Sequence, residues 1–382
     1  MNREIYLDWA ATSYKKPREV VDAITSFIEN IGVSSGRGAY RRAFLADRAV
    51  YECRKEASEL FNVSDPARIV LTSGATESLN LVLKGYLTPG DHVVVTSLEH
   101  NAVIRPLHRL SEECGITYTV VRCDEQGNFD LDDFLKCVTD KTTLFCVNHA
   151  SNVIGSVLPV KEIVKIAHDA GACVLLDAAQ SAGAIKVDAQ KLDVDFMAFA
   201  GHKSLLGPQG TGGLFIREGL KLKTLIEGGT GSDSTSLTMP ENLPERFEAG
   251  TQNYPGIAGL NAALKHINSL GVDKIRAGEL EIIEHALEGF ATLPHVELYG
   301  PKSAADMTGV FAFNVKGQEP SAVAKRLDTE HGIMVRSGLH CAPLSHESIG
   351  THNTGALRAS IGYVTTKDDI NALISALEKI KV

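Results

Sequence analysis

Short apolar segments alternate with helical stretches between residues 69 and 216, and this alternation constrains the fold more than any other feature of the sequence. The apolar segments cover residues 69–71, 93–95, 117–121, 144–147, 174–176, 196–199 and 213–216. Apolar runs of this length, separated by helices, are typical of a mostly parallel sheet with helices on both faces. We therefore predict an α/β fold, in which ligands bind beyond the carboxyl ends of the strands.

The carboxy-terminal part of the chain predicts a second, smaller unit. Residues 227–255 are rich in Gly, Ser, Thr and Pro and show no clear period, and a helix is expected from about Gly256 to Leu270. A strand at 310–315 and a helix at 321–331 follow, and a capping-box pattern at Thr366–Asp369 opens the last helix. We predict a large domain of residues 15–258 and a small α+β domain of residues 1–14 and 259–382.

Composition narrows the class of protein. The chain has 382 residues and a formal net charge of −9, which argues against nucleic acid or an anionic membrane as a main partner. Apolar runs are too short to span a bilayer, and the first residues are too charged for a signal peptide, so we expect a cytoplasmic protein. The seven cysteines form no CxxC pair, so we predict neither a disulfide framework nor a metal site.

Two strand ends carry a pair of residues with a specific chemistry. Asp177 ends one apolar segment, and Lys203 follows the next apolar segment in the sequence Gly201-His202-Lys203. Pyridoxal phosphate needs such a pair, because a lysine amine condenses with its aldehyde and a carboxylate keeps its pyridine nitrogen protonated. Either residue alone is more often a strand-edge carboxylate or a solvated lysine. The pair at neighbouring strand ends predicts pyridoxal phosphate as the cofactor.

Polar residues follow other strands of the predicted sheet. Gly74 opens a Gly/Thr-rich turn before a helix, whose free N–H groups suit a phosphate, although a plain helix cap is the commoner role. His100 and Asn152 follow two further strands, and Gln180 comes three residues after Asp177. A lone histidine at such a place is more often a surface or core residue. Together, these residues favour a cofactor site at one edge of the sheet.

The joint pattern resembles the class-V, fold-type I aminotransferase superfamily of pyridoxal phosphate enzymes. The matching motifs are Gly74-Ala75-Thr76-Glu77, Glu99-His100, Ser151-Asn152, Asp177-x-x-Gln180 and Gly201-His202-Lys203. Two later motifs, Phe247 to Thr251 and Arg336-Ser337-Gly338-Leu339-His340-Cys341-Ala342-Pro343, are similar to the cysteine desulfurase and selenocysteine lyase branch, especially its short-loop group. The similarity extends from Tyr6 to Arg358.

The resemblance implies a role for each matching residue. Lys203 would hold the cofactor, Asp177 would pair with the pyridine nitrogen, and His100 would stack on the ring. Gln180 would contact the phenolic oxygen. The phosphate would be bound by Ala75, Thr76 and His202, and by Thr251 of a second subunit, which implies a homodimer. Asn152, also a candidate cofactor contact, and Arg358 would hold the substrate carboxylate, for which the planar guanidinium of arginine is suited.

The chain departs from the resemblance at two positions. Ala200 stands where many relatives carry a hydroxyl residue that helps to bind the phosphate, and Trp9 stands where a small polar residue is commoner. The first departure removes one hydrogen bond, worth about 1 kcal/mol. It leaves the predicted chemistry in place.

Cys341 distinguishes the reactions that the cofactor allows. A desulfurase needs a thiolate that attacks the substrate sulfur, and Cys341 lies in a Gly/Pro-bracketed loop near Arg336 and His340, which would favour the thiolate. We predict conversion of L-cysteine, or selenocysteine, to alanine, with Lys203 as general acid and base and with a separate sulfur-acceptor protein. Two alternatives remain: a class-V aminotransferase or other lyase in which Cys341 is incidental, and a cofactor-binding scaffold without turnover.

Overall fold

The computed structural model describes residues 4–36, 38–231 and 235–380. Its thirteen described strands are β1 (Ile5–Tyr6), β2 (Ile69–Thr72), β3 (His92–Thr96), β4 (Thr117–Val121), β5 (Thr142–Asn148), β6 (Cys173–Asp177), β7 (Phe196–Ala200), β8 (Gly212–Ile216), β9 (Val296–Tyr299), β10 (Val310–Val315), β11 (Ile333–Met334), β12 (Arg336–Gly338) and β13 (Ala356–Ser360).

The twelve α-helices within these described ranges are α1 (Arg18–Ser26), α2 (Arg41–Leu60), α3 (Ala75–Tyr86), α4 (Asn101–Cys114), α5 (Leu131–Lys136), α6 (Val160–Asp169), α7 (Ala189–Leu192), α8 (Tyr254–Leu270), α9 (Val272–Ala291), α10 (Pro320–His331), α11 (Pro343–Ser348) and α12 (Lys367–Lys379). None of them is long and apolar enough to cross a membrane.

The seven predicted apolar segments form one sheet with the strand order β2-β8-β7-β6-β5-β3-β4. Pairing is parallel from β7 through β6, β5 and β3 to β4, and β8 runs antiparallel to both β7 and β2. Only β8 therefore opposes the other six strands of this sheet. The predicted mostly parallel α/β sheet is confirmed.

Helices cover both faces of this sheet, which explains why its strands are apolar throughout. On one face, Leu79 and Leu83 of α3 and Val103 of α4 pack against the strands in one apolar cluster. On the other face, Ile163 of α6 and Leu260 of α8 belong to a second cluster. Because six of its strands run in the same direction, the sheet places the residues that follow those six strands at one edge.

A second sheet, with the antiparallel order β12-β13-β10-β9, lies in the carboxy-terminal part of the chain. Phe311 and Phe313 of β10 share a separate apolar cluster with Phe290 of α9, Leu327 of α10 and Leu373 of α12. The capping box predicted at Thr366 is present, because Thr366 and Asp369 each accept a hydrogen bond from the other's backbone N–H. The amino-terminal β1 joins this part of the fold by pairing parallel with β11.

Helix α8 begins two residues before the predicted start at Gly256. The side chain of Asn253 accepts a hydrogen bond from the Gly256 N–H at 3.1 Å, and Pro255 lies in the first turn, where its missing N–H costs nothing. The helix runs unbroken to Leu270 and packs against α1 and α2. The predicted domain boundary at residue 258 falls inside this helix and stays a prediction.

Candidate active site

One cleft lies at the carboxyl edge of the large sheet, where six strands end. Eight of the predicted site residues line it: Ala75, Thr76, His100, Asn152, Asp177, Gln180, His202 and Lys203. These residues come from five different strand ends and are spread over more than a hundred positions of sequence. Parallel strands bring them together because their carboxyl ends share one edge.

Lys203 lies in the turn after β7 and is partly buried. Burial lowers the pKa of its amine to about 8; the nearby Asp177 carboxylate opposes this shift and the Arg358 guanidinium adds to it. Gly201 allows the turn, because a Cβ at this position would lie 2.3 Å from Oγ1 of Thr211. The amine is therefore present in both the charged and the neutral form near neutral pH.

Asp177 is the last residue of β6 and is 6% exposed. Its Oδ1 accepts a hydrogen bond from the Ala179 N–H at 2.9 Å. Burial raises the pKa of the carboxyl, while the Ala179 N–H and the charge of Lys203 hold it down. Asp177 thus presents a buried carboxyl to the cleft, as pairing with a pyridinium requires.

His100 is the cap residue of α4, and its ring lines the cleft. The Ala102 N–H donates a hydrogen bond to Nδ1 at 3.0 Å. Burial lowers the pKa of the imidazole to about 4, and the nearby charges of Lys203 and Arg105 lower it further. Because Nδ1 accepts, the neutral ring carries its proton on Nε2.

The amino terminus of α3 forms one wall of the cleft. Its cap residue Gly74 has no side chain, and no side chain in the described part of the chain caps the helix end. The N–H groups of this first turn and the positive end of the helix dipole suit an anion. Ala200 lines the same wall without a hydroxyl, in agreement with the departure noted in the sequence.

Gln180 and His202 connect the cleft to the amino-terminal segment. The Gln180 amide donates to the Ala10 carbonyl at 3.0 Å, which leaves its second N–H for another acceptor. Nδ1 of His202 lies 3.0 Å from Oγ1 of Thr12. Burial lowers the pKa of His202 to about 4, so its ring is neutral at physiological pH.

Cys341 lies in a four-residue loop between β12 and α11, and it is exposed. The Asn101 N–H donates to the Cys341 carbonyl at 2.7 Å, so the loop is joined to the residue that follows His100. Charge interactions also connect Cys341 to Lys203, whose pKa it raises. The structure therefore places the thiol next to the cleft, although no atom of Cys341 lines the cleft itself in the described structure.

Arg358 lies in β13 and is 3% exposed. Its Nη1 donates to the Asn152 carbonyl at 2.9 Å, and its Nη2 donates to Oδ1 of Asp8 at 2.9 Å. Its Nε has no hydrogen-bond partner among the residues that the structure describes. The Asn152 side chain donates to the His340 carbonyl at 2.7 Å, so Asn152 connects the arginine to the cysteine loop.

Comparison with known proteins identifies this arrangement. The class-V aminotransferase profile matches residues 5–373. The chain belongs to the class-V aminotransferase family. A relative from Methanothermobacter thermautotrophicus, named "Probable cysteine desulfurase", is 38% identical and is matched over 98% of this chain and 94% of its own. A relative from Salmonella agona, named "Cysteine desulfurase", is 36% identical over 98% of this chain and 93% of its own.

The fold of this class-V family member agrees with solved structures. The apo structure of a cysteine desulfurase from Thermococcus onnurineus NA1 superposes with a TM-score of 0.92 at 35% identity, covering 99% of this chain and 94% of that one. The fold is therefore fold-type I, as the sequence predicted. The resemblance to the class-V family and to its cysteine desulfurases is confirmed, whereas the individual residue roles remain predictions.

Among the predicted cofactor contacts, Thr251 alone does not line the cleft in the described part of the structure. It is exposed and follows Gly250 in the segment before α8. Since the sequence assigned Thr251 to the site of a second subunit, its place outside the cleft of its own chain is compatible with that prediction.

Sequence reasoning missed several residues of this site. Asp8, which follows β1 by two residues, accepts hydrogen bonds from both Arg336 and Arg358. Glu99 lies buried behind His100, and Asn148 ends β5 in the cleft. The position of Asn148 at the end of an apolar strand was a usable signal. The partners of Asp8 are too distant in sequence for any local pattern to indicate them.

Proposed function

We propose that this class-V family member is a pyridoxal phosphate-dependent cysteine desulfurase, which converts L-cysteine to L-alanine and leaves a persulfide on Cys341. One observation carries the proposal: the exposed Cys341 is held by the Asn101 N–H beside the cleft that contains Lys203. The names of the relatives support the same activity.

The residues of the cleft fit pyridoxal phosphate. A partly buried lysine and a buried carboxyl lie at adjacent strand ends, and the uncapped amino terminus of α3 suits the phosphate. Lys203, Asp177, His100, Gln180 and the first turn of α3 would hold the cofactor. When bound, pyridoxal phosphate supplies an electron sink for the electron pair left on the substrate carbon.

Lys203 acts as general acid and base. A group transfers protons best when its pKa lies near the working pH, and burial has moved the Lys203 amine to about 8. Nζ would take a proton from Cα of the substrate and return one when alanine forms. The Asp177 carboxylate limits this shift, because it favours the charged amine.

Cys341 accepts the sulfur. Its thiolate Sγ attacks the substrate sulfur, a new S–S bond forms, and the substrate C–S bond breaks with its electron pair staying on carbon. A proton completes the methyl group of alanine, so one cysteine yields one alanine and one enzyme persulfide. A thiol reductant or a separate acceptor protein then removes the outer sulfur.

Arg358 would hold the substrate carboxylate. Its guanidinium is oriented by Asp8 and by the Asn152 carbonyl, and its Nε has no partner among the described residues. A planar guanidinium binds a carboxylate through parallel hydrogen bonds. Fixing the carboxylate at Arg358 would place the substrate sulfur toward the Cys341 loop, which Asn152 connects to the same arginine.

The assembly and location are part of the same proposal. The protein would act as a cytoplasmic homodimer, with Thr251 reaching the phosphate of the partner's site. Exposure of Thr251 outside its own cleft supports this assignment. Light scattering should report twice the chain mass of 41.0 kDa. A monomer that binds the cofactor as tightly as a dimer would contradict the role of Thr251.

Alanine release from L-cysteine, measured with a reductant present, tests the activity. We expect activity in the wild type, loss in Cys341→Ser, and unchanged visible cofactor absorbance in both. Cys114→Ser is the matched control, because Cys114 is also an exposed free cysteine. Equal turnover by Cys341→Ser would reject the desulfurase mechanism and favour an aminotransferase or simple elimination, which a keto-acid assay would detect.

A further inference from the structure

The loop that carries Cys341 has a strained backbone. His340 and Cys341 have φ values of 49° and 58°, so two consecutive non-glycine residues adopt the left-handed conformation. This conformation is unfavourable for a residue with a side chain and persists only where surrounding contacts hold it. The direction of the thiol therefore depends on what anchors this turn.

Hydrogen bonds to the backbone of the turn hold part of it in place. Nδ2 of Asn152 donates a hydrogen bond to the His340 carbonyl at 2.7 Å. The Asn101 N–H donates to the Cys341 carbonyl, also at 2.7 Å. The Ala342 N–H also closes the turn on the Leu339 carbonyl at 2.9 Å. These contacts hold the peptide units but leave the His340 ring to a different set of partners.

The His340 ring is held by a buried chain of side chains from the following segment. Its Nδ1 lies 3.2 Å from Nε2 of His346, and the two rings are stacked with centroids 5.3 Å apart. Nδ1 of His346 lies 2.7 Å from Oγ1 of Thr351. His346 is fully buried in α11, and Thr351 is 3% exposed. Neither residue lines the cofactor cleft.

The imidazole rings of His340 and His346 are both neutral. Burial lowers the pKa of His346 to about 4 and that of His340 well below its usual range, and the nearby Arg358 lowers the latter further. A neutral imidazole has one donor and one acceptor nitrogen, so the proton on one ring determines the proton on the other. Thr351, whose hydroxyl can either donate or accept, is the outer partner of the pair and holds the His346 ring.

We propose that His346 is a positioning residue for Cys341, which acts by holding the His340 ring and with it the left-handed turn. Thr351 supports this role by orienting His346. The inference deepens the proposed function and rests on Cys341 being the sulfur acceptor of the same site.

The turn matters because it keeps the thiol among cations. The thiolate of Cys341 raises the pKa of Lys203, Arg336 and Arg358, so all three charges lie within electrostatic reach of it. A turn released from His346 would let the Sγ of Cys341 move away from these charges and from the cleft, and its reactivity would fall.

The test measures the alkylation rate of Cys341 by iodoacetamide in the holoenzyme, using peptide mass spectrometry, together with kcat and KM for L-cysteine. We expect His346→Leu and Thr351→Val to slow alkylation and to lower kcat by about tenfold, a loss of about 1.4 kcal/mol in barrier terms. KM should change less than about twofold, because Arg358 keeps its own partners. Thr351→Ser keeps the hydroxyl and should restore both rates.

Ser348→Ala is the matched control, since Ser348 lies in the same helix and its hydroxyl bonds Ser97 rather than the histidine pair. If His346 and Thr351 only stabilised the fold, His346→Leu and Thr351→Val would lower the melting temperature without slowing alkylation of Cys341. Alkylation of Thr351→Val at or above the wild-type rate would overturn the inference, even if His346→Leu fails to fold. A wild type that alkylates rapidly but releases no alanine would instead reject the proposed function.

Discussion

Asp8 and Arg358 are joined by a hydrogen bond of 2.9 Å between Oδ1 and Nη2, although 350 residues separate them in sequence. The other oxygen of Asp8 accepts from Nη2 of Arg336, also at 2.9 Å. One carboxylate therefore orients both the arginine proposed for the substrate and the first residue of β12, the strand that leads into the cysteine loop. The parallel pairing of β1 with β11 brings Asp8 to this position.

Replacing Asp8 with Asn should weaken substrate binding. Arg358 would lose its counter-charge while remaining buried, and the guanidinium would no longer be held in one orientation. We expect KM for L-cysteine to rise by about tenfold, consistent with a charged hydrogen bond of about 1.5–3 kcal/mol, with a smaller effect on kcat. Asp169→Asn, which removes only an exposed ion pair with Lys165, should leave KM unchanged. An unaltered KM in Asp8→Asn would show that Asp8 does not orient Arg358.

The amine of Lys203 should titrate near pH 8 in the cofactor-free protein. Only the neutral amine reacts with an acylating reagent, so labelling should be half-maximal near pH 8 and fall by about tenfold for each pH unit below it. Competitive acetylation followed by peptide mass spectrometry measures this midpoint. Asp177→Asn should move the midpoint lower, because the carboxylate favours the charged amine. A midpoint near 10.5, the ordinary value for lysine, would contradict the burial effect.

Glu99 should make the protein less stable as the pH rises. Burial raises the pKa of this carboxyl to about 8 from an ordinary value of 4.5, with its interactions with Thr96 and Asn148 opposing the shift. The folded state therefore holds a proton that the unfolded state releases. The stability that the folded protein gains from protonated Glu99 is fully present below about pH 4.5 and is lost as the pH rises through about 8.

The variant Glu99→Gln stays neutral at every pH and keeps an oxygen for the Thr96 hydroxyl and the Asn148 N–H. We expect its melting temperature to exceed that of the wild type by at least about 2 °C at pH 8, and to match it near pH 4.5. Calorimetry across this range measures the difference. Glu162→Gln, at an exposed position, controls for the loss of one charge. A difference independent of pH would mean that Glu99 is already ionised in the folded protein.

Restoring a hydroxyl at Ala200 should strengthen cofactor binding. Ala200 is 4% exposed, ends β7 and lines the cleft beside the first turn of α3. A serine there would add one hydrogen bond to the phosphate, worth about 1 kcal/mol or about fivefold in Kd. Titration of the cofactor-free protein, followed by visible absorbance, measures Kd. Ala200→Val controls for added volume, and equal affinity in the serine variant would place the phosphate elsewhere.

Much of the site was predictable because strand ends are local features. An apolar run followed by a polar residue can be read from a few neighbouring positions, and a parallel sheet places all such ends at one edge. Asp177, Lys203, His100 and Asn152 were found in this way, and the structure brings them into one cleft. The residues that support them have no such signal, because their partners come from other parts of the chain.

The sequence by itself determined the alternation of strands and helices, the edge at which the site lies, and the residue types that fit pyridoxal phosphate. These follow from periodicity and from side-chain chemistry, which act over short distances along the chain. Only the tertiary structure decided that Asp8 meets Arg358 and that His346 contacts His340. It also decided that burial lowers the pKa of the Lys203 amine to about 8. Contacts between distant segments and the loss of water around a charged group arise only when the whole core has packed.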